Sequence, residues 1–427
     1  MNIIRLNDNS KMLNTYENEA STEEDYFFHR SDKNLPRHSF KRVDITPNKV
    51  KRNPSQYTNE KVRFSLKKSG FWCKAYIKHT LQYSTVGDAQ AVIPLLSERL
   101  GAFIFKKIHL EQYGNEIEAI NPISILERVN TTLFNKIIND KEAMEPKRNG
   151  AFITFYTPLN FSVNSDINHF LDLKFIQQLQ LVAEFDDFKD LLIEGPLPAP
   201  DPIPGPISYN MVLMSDYMTL DNYEDYIKKY HNKEFKLLLE NNILENGEPQ
   251  DVITGDNYLR VRSRNLVKKI SLSNIDLTAK KEAVEFSNVS LTANNEEIYN
   301  AESILESLLF SKNYQGLVSH KVPDATTDGI MDIDFSIPNM RNSFSGGLNM
   351  DETHKDGQIK LNSTGPGKMY INYMFYDMVI IKADGKLEKV DVNNSPYLDE
   401  YDYEEPKKPE PEIVDMSSAK PNNKQNL

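Results

Sequence analysis

The chain has 427 residues, a net charge of −12 and 39% hydrophobic residues, which is enough apolar content for ordinary globular cores. The negative charge argues against a nucleic-acid-binding body, since binding to duplex phosphates needs many Lys and Arg side chains. One cysteine, Cys73, excludes an intrachain disulfide and a cysteine zinc cluster, and no apolar run reaches the roughly 18 residues that span a bilayer. We therefore expect a soluble chain with no transmembrane segment and no signal peptide.

Prolines and charge divide the chain into five parts. Residues 1–58 carry most of their Lys and Arg between His29 and Arg52, which predicts a flexible basic amino-terminal arm. Residues 195–206 contain six prolines and cannot form a helix interior or a central strand, so we interpret them as a stiff linker. The linker would join one domain at 59–194 to a second at 207–392, and 393–427 reads as an acidic, disordered tail.

The first domain has the alternation of half-buried antiparallel strands. Residues 73–83 alternate apolar and polar side chains, and further strands are expected at 103–110, 151–156 and 175–185. Gly114 at the first central position of a turn predicts a type II′ hairpin. Asn121 followed by Pro122 predicts the start of a helix whose apolar residues recur as far as Ile137.

The second domain begins with a predicted helix and continues in strands. Asp221 and Glu224 form an acidic capping pair, and an apolar stripe continues to Leu238. Strands are expected at 266–277, 283–291, 330–337, 358–361 and 369–381. Asp384-Gly385 then marks a hairpin turn into a last strand at 387–392.

A short internal repeat links the two domains. Leu110 matches Leu291, Glu116-Ile117 matches Glu297-Ile298, and, after a gap, Asn121 matches Asn300. Each copy reads as strand, tight turn, helix cap and amphipathic helix in the same order. We therefore predict a mainly β chain made of two consecutive antiparallel jelly-roll sandwiches with short inserted helices.

Three motifs occur in the order found in double jelly-roll major capsid proteins. Pro158-Leu159-Asn160-Phe161 resembles that family's PL-x-F segment, and Tyr217 to Asp221 resembles its Y-x-x-L-D strand end. Ser345 to Asn349 is similar to its P-S-G-x-x-N turn, with Phe344 where proline is usual. Across residues 62–392 the chain resembles members from polinton-like elements, virophages and nucleocytoplasmic large DNA viruses.

The resemblance implies a structural role in a virion. Three copies would associate into a homotrimer with a pseudo-hexagonal outline, and such capsomers would tile an icosahedral capsid assembled in the host cytoplasm or nucleus. Partners would be neighbouring capsomers, penton proteins and minor capsid proteins. We also expect the basic arm to face the interior and touch the DNA genome, although a solvated terminus explains its composition equally well.

The sequence predicts no catalytic, cofactor-binding or metal site, and therefore no enzyme. His79 and His109 fall within strand patterns and are assigned no role, while Cys73 reads as a small buried apolar residue. Asp216 and Asp221 are interpreted as turn and cap residues instead of an acid–base pair. Two alternatives stay open, namely a jelly-roll carbohydrate-active or lectin-like protein, and a minor capsid or assembly scaffold protein.

Overall fold

The structure is a computed structural model in which 16 segments of the chain are described. These are residues 38–51, 57–83, 95–96, 99–131, 144–165, 170–186, 192–193, 208–221, 223–224, 234–261, 266–276, 283–293, 296–303, 330–335, 347–349 and 357–390. The proline-rich segment, the first 37 residues and the acidic tail lie outside them.

Antiparallel strands dominate both halves of the chain. The first half contains β1 (His38–Ile45), β2 (Lys61–Ser65), β3 (Phe71–Gln82), β4 (Leu95–Leu96), α1 (Leu100–Phe103), β5 (Phe105–Gln112), β6 (Asn115–Ile120), α2 (Pro122–Thr131), β7 (Lys147–Asn149), β8 (Phe152–Pro158), α3 (Ser162–Ser165), β9 (Leu171–Asp172), β10 (Leu179–Phe185), β11 (Leu192–Ile193) and β12 (Ser208–Leu220). The second half contains β13 (Phe235–Leu244), a short 3₁₀ turn (Glu245–Gly247), β14 (Gln250–Val252), β15 (Gly255–Val261), β16 (Leu266–Ile275), β17 (Phe286–Ala293), β18 (Glu296–Ala301), β19 (Ile330–Asp334), β20 (Leu348–Asn349), β21 (Gly357–Ser363), β22 (Gly367–Ile381) and β23 (Leu387–Val390).

The two halves have the same topology. One sheet of the first half runs β1-β12-β3-β8-β7, with β9 beside β3, and its second sheet runs β2-β10-β5-β6. The second half has β13-β22-β16-β19, with short strands β14, β20 and β23 at its margins, and β15-β21-β17-β18. When the eight main strands of each half are numbered in chain order, both halves read 1-8-3-6 and 2-7-4-5. This duplicated order is that of two jelly rolls, which confirms the fold expected from the sequence.

The proline-rich segment is not the boundary between the rolls, contrary to the prediction. Ser208–Leu220 follows that segment but forms β12, which pairs with β3 from Ser208 beside Gln82 to Met218 beside Phe71. Its alternate side chains enter the core of the first roll, because Tyr209, Leu213 and Tyr217 are all buried there. The segment therefore connects the seventh and eighth strands of the first roll, and the chain passes between rolls after Leu220.

The start of the first roll also differs from the predicted boundary at residue 59. His38–Ile45, assigned to the arm from its basic composition, is the edge strand β1 and pairs with all of β12 from Leu213 to Leu220. An edge strand tolerates many charged residues because one of its faces and one of its edges meet water. The arm predicted from composition therefore includes at least one strand of the sheet.

Local turn and cap signals place the hairpins and one helix. Asn121 accepts a hydrogen bond from Ser124 N (3.0 Å) and donates its own N–H to Ser124 Oγ (2.8 Å), so it caps α2 as predicted. The turn between β5 and β6 has Tyr113 and Gly114 at its centre, both with positive φ, and is type I′ instead of the predicted II′. Leu238, predicted to be helical, lies in strand β13.

The cores of the two rolls are continuous where the rolls meet. The second roll has its own apolar core between its two sheets, containing Ile270, Leu291 and Ile371. The larger core of the first roll extends into the second roll, where it includes Leu239 and Tyr370. The two rolls therefore pack directly against each other through a shared apolar core.

Candidate assembly interface

The polar residues considered for catalysis make structural contacts and do not lie together in one site. Among the described residues, no group of three or more His, Cys, Asp or Glu side chains is placed to hold a metal ion. Within the same part of the chain, no helix is long and apolar enough to cross a membrane. Asp216 makes a two-pronged ion pair with Arg42 (2.7 and 3.0 Å), whereas Asp221 is exposed beyond the end of β12. The two carboxylates therefore have different surroundings.

His79 is a fully buried member of the first core. Its Nδ1 hydrogen-bonds with Tyr209 Oη (2.7 Å), its Nε2 with Thr157 Oγ1 (3.0 Å), and its ring stacks on Phe155 with centroids 4.5 Å apart. Burial lowers the pKa of His79 from 6.5 to about 3, so the ring is neutral at physiological pH. Burial likewise raises the pKa of the Cys73 thiol to about 12.

A hydrogen-bonded amide network joins β6 of the first roll to β13 and β22 of the second. Ala119 N donates to Asn241 Oδ1 (2.8 Å), and Asn241 Nδ2 donates to Asp377 Oδ2 (2.9 Å). Lys389 forms an ion pair with the same Asp377 oxygen (2.6 Å). All but Lys389 are buried, so each bond fixes a polar atom that would be costly to leave unpaired.

The cap of α2 is part of the same network. Besides capping the helix, Asn121 donates from Nδ2 to Asn372 Oδ1 (2.7 Å), and Asn372 donates to Asn242 Oδ1 (3.2 Å). Asn372 is fully buried on β22 and Asn242 is buried on β13. A residue that starts a helix in one roll is therefore bonded to the sheet of the other.

A third set of contacts runs from β6 through α3 to β13. Buried Glu118 accepts a hydrogen bond from Ser162 N (2.6 Å), and Ser162 Oγ accepts one from Glu240 N (2.9 Å). Glu240 forms an ion pair with Lys268. Burial by itself lowers the pKa of Lys268, but Glu240 and Tyr376 more than offset this and raise it. The charged form of Lys268 is thus kept within the sheet.

Gln112 and Gly385 lock the rolls together at the end where the β5–β6 turn lies. Gln112 Nε2 donates to Gly385 O (3.1 Å) and to Gln177 O (2.6 Å), while Leu387 N donates to Gln112 Oε1 (2.7 Å). Gly385 has φ +79°, and a Cβ there would lie 2.4 Å from Phe175 O. Only glycine lets the β22–β23 turn approach the first roll this closely.

The strands used at this interface have exposed counterparts elsewhere in the chain. The last four residues of β6 are buried, whereas β18, which holds the same place in the second roll, is exposed at Glu296, Glu297 and Asn300 and buried at Ala301 only. Asn241 and Asn242 of β13 are buried, whereas β1 is exposed from His38 to Arg42. One half of the interface therefore remains open on each roll.

The sequence pointed to few of these interface residues. Asn121 and Gly385 had local signals, as a cap and as a turn residue, but nothing marked their contacts with the other roll. Asn241 and Asn372 are polar residues in largely apolar strands, which was the available sign of a second covered face. Gln112 carried no signal at all.

Known proteins share this fold at low sequence identity. No protein-family model matches the sequence, and no curated protein matches it significantly. The structure is similar to PBCV-1 VP54, as fitted into the virophage Sputnik, with a TM-score of 0.63, 14% identity and coverage of 85% of this chain and 99% of that one. It is also similar to the Faustovirus major capsid protein, with a TM-score of 0.56, 9% identity and coverage of 88% and 98%.

These similarities extend over both rolls and over nearly the whole length of the solved proteins. They agree with the strand order of the two halves and with the resemblance carried by the three sequence motifs. The chain has the double jelly-roll fold of viral major capsid proteins.

Proposed function

We propose that the chain is a major capsid protein whose homotrimers form pseudo-hexagonal capsomers of an icosahedral virion shell. The observation that carries this proposal is the duplicated 1-8-3-6 and 2-7-4-5 strand order in two rolls packed side by side. Two similar rolls per chain give six similar lobes in a threefold assembly, which is a shape that tiles a surface. The role needs packing surfaces and no reaction chemistry.

The two rolls have the same orientation, with equivalent ends on the same side of the molecule, as the lobes of a shell subunit require. The end of the first roll that holds the Tyr113–Gly114 turn, here called the turn pole, contacts Gly385 at the corresponding end of the second roll. The opposite end, the loop pole, is where Phe185 and Tyr209 meet with ring centroids 6.3 Å apart. Long connections at 83–104, 121–151 and 186–207 all join strands at the loop pole. The two poles therefore offer different surfaces to the two sides of a shell.

The position of β1 supports an interior role for the basic arm. His38, at the start of β1, pairs with Leu220 at the turn pole, so β1 begins at that pole. In this proposal the turn pole faces the genome, and Lys and Arg side chains of the arm neutralise phosphates. Removing residues 1–37 while keeping β1 is expected to reduce genome packaging. Unchanged packaging in particles of normal yield would reject the contact with DNA.

The oligomer formed by the purified full-length chain tests the shell function. Light scattering is expected to give three times the 49.2 kDa chain mass, and electron microscopy is expected to show six-lobed particles. Co-expression with penton and minor capsid proteins is expected to give closed shells. A chain that stays monomeric at high concentration and binds glycans in a cleft would support the lectin-like alternative. A monomer that joins shells built by another protein would support a minor capsid or scaffold role.

A further inference from the structure

Matching irregularities align the two rolls residue by residue. The β5–β6 pair shifts register between Leu110 and Glu111, and the β17–β18 pair shifts between Leu291 and Thr292. Since Leu110 corresponds to Leu291, counting along the chain makes Ala119 equivalent to Asn300 and Asn121 to Glu302. Asn300 itself lies in strand β18, so it is not the helix cap that the sequence repeat predicted.

The other sheets align in the same way. The β12–β3 ladder shifts register between Asp216 and Tyr217, and the β16–β22 ladder shifts between Val267 and Lys269. Tyr217, beside Trp72, then corresponds to Phe375, beside Val267. Counting from these pairs, Lys41 on β1 is equivalent to Asn241 on β13, and Met214 is equivalent to Asn372.

The equivalent residues differ in charge although they share the same place in the fold. Where the interface within the chain has Ala119 and Asn121, the open half on the second roll has exposed Asn300 and Glu302, preceded by exposed Glu296 and Glu297. The residues of this acidic edge are Glu296, Glu297, Asn300 and Glu302.

The other open half is basic. Where the interface within the chain has Asn241, the first roll has exposed Lys41, and β3, separated from β1 by β12, carries Lys74 and Lys78 on its outward side. On this outward side Arg42 and Asp216 form an ion pair, with Lys74 beside Asp216 in the ladder, whereas Lys41 pairs with the core residue Tyr217 and lies on the opposite side of β1. The residues of this basic face are Arg42, Lys74 and Lys78.

We infer that copies of the chain join through a charge-complementary contact in which the acidic edge of one copy docks on the basic face of the next. This inference rests on the proposed function and adds which surfaces meet and why. Placing one roll on the next as Asn121 meets Asn372 puts Glu302 over Met214. The ladder partner of Met214 is Tyr76, which lies between Lys74 and Lys78 on the outward side of β3. Opposite charges then face each other along the contact.

This arrangement makes the contacts between copies differ from the contact within a chain. Inside the chain, the rolls are held by buried amides and by Gln112, for which the equivalent in the second roll is Ala293. Between copies, the same positions carry charges that begin exposed to water. Attraction between exposed charges is screened by salt, whereas buried hydrogen bonds are affected much less. Capsomers are therefore expected to separate into intact two-roll chains as salt rises.

A charge swap in the full-length chain tests this contact. Glu302→Lys or Lys78→Glu alone is expected to raise the concentration at which half the chain is trimeric by roughly tenfold or more. The double variant Glu302→Lys with Lys78→Glu is expected to return to within about threefold of the original chain, since the pair is restored with reversed polarity. Sedimentation or native mass spectrometry measures the midpoint, and circular dichroism, which reports the strands of both rolls, verifies that each variant is folded.

The control has the same change of charge outside the contact. Asp256→Lys, on the outward side of β15, is expected to leave the trimer midpoint unchanged, because neither open half includes that residue. Equal weakening by Asp256→Lys, or no rescue in the double variant, would overturn the proposed contact. Trimers that tolerate every variant and are insensitive to salt would also overturn it while leaving the shell function intact. A chain that never trimerises would instead reject the shell function.

Discussion

The docking of the β22–β23 turn on the first roll leads to a sharp prediction for Gly385→Ala. Gly385 has φ +79°, and Gly114, in the β5–β6 turn, has φ +87°. A Cβ on Gly385 would lie 2.4 Å from Phe175 O, whereas a Cβ on Gly114 would have no heavy atom within 4 Å. Gly114→Ala is therefore a matched control that has the same backbone strain without the collision.

The magnitudes follow from the contacts of each glycine. Left-handed backbone costs an alanine about 1 kcal/mol, so Gly114→Ala is expected to lower the free energy of unfolding by that amount. Gly385→Ala also pushes the turn away from Phe175. This weakens the bonds of Gly385 O to Gln112 and to Gln177 N and that of Leu387 N to Gln112. At about 1 kcal/mol for each bond, the total loss is about 3 to 4 kcal/mol.

Urea unfolding of the full chain at fixed concentration measures both values. Trp72 is the single tryptophan and is buried in the first roll, so its fluorescence reports that roll directly. Circular dichroism reports the strands of both rolls, and the two transitions are expected to separate in Gly385→Ala as the rolls lose contact. If Gly385→Ala loses no more than Gly114→Ala, to within about 0.5 kcal/mol, the turn does not hold the rolls together and the reasoning fails.

Three further experiments test buried residues of the first roll. The pKa of His79 is about 3 in the folded chain and ordinarily 6.5, so below pH 6.5 only the unfolded chain binds the proton. The free energy of unfolding should therefore fall by about 2 kcal/mol between pH 7 and pH 5. His79→Gln is expected to remove this loss, and equal pH slopes for the variant and the original chain would refute the prediction. Cys73, with a pKa raised to about 12, is expected to react with a thiolate-specific reagent at pH 8 only after urea unfolding, with Cys73→Ser as the blank; rapid labelling of the folded chain would contradict this. Asn121→Ala removes a helix cap and the bond to Asn372, and is expected to lower the free energy of unfolding in urea by about 2 to 3 kcal/mol. Asn300→Ala, on the equivalent exposed hairpin, should lower it by less than about 0.5 kcal/mol. Equal losses in the two variants would be inconsistent with the amide network.

Local signals in the sequence were sufficient to predict the class of fold. Alternation at a period of two marks strands, a Gly at a turn marks a hairpin, and Asn121 before Pro122 marks a helix start, because each depends only on neighbouring residues. The repeat from Leu110 and Leu291 is confirmed by register shifts at the same positions of the two hairpins. The predicted turn type was wrong because Tyr113 adopts a positive φ, which a tyrosine side chain does not indicate.

The boundary between the rolls could not be read from local signals. Six prolines show that residues 195–206 are excluded from a sheet interior, but they do not show to which roll the next strand belongs. That choice depends on β12 pairing with β1 and β3, which lie more than a hundred residues earlier in the chain. The end of the predicted arm was placed too late in the chain for the same reason. The residues of β1 are recognisable as a strand only when β12 lies beside them.

The sequence by itself determined that this protein is a duplicated β-sandwich, because strand periodicity, turn residues and motif order are properties of short segments. Only the tertiary structure decided where the first roll ends, which buried amides join the rolls, and that much of β1 and half of β18 are exposed while most of β13 and β6 is buried. The physical reason is that hydrogen-bond partners and burial are set by residues distant in the chain. The proline-rich segment thus changes from a hinge between rolls to a connection inside the first, and the true junction is the amide-lined contact between β6 and β13.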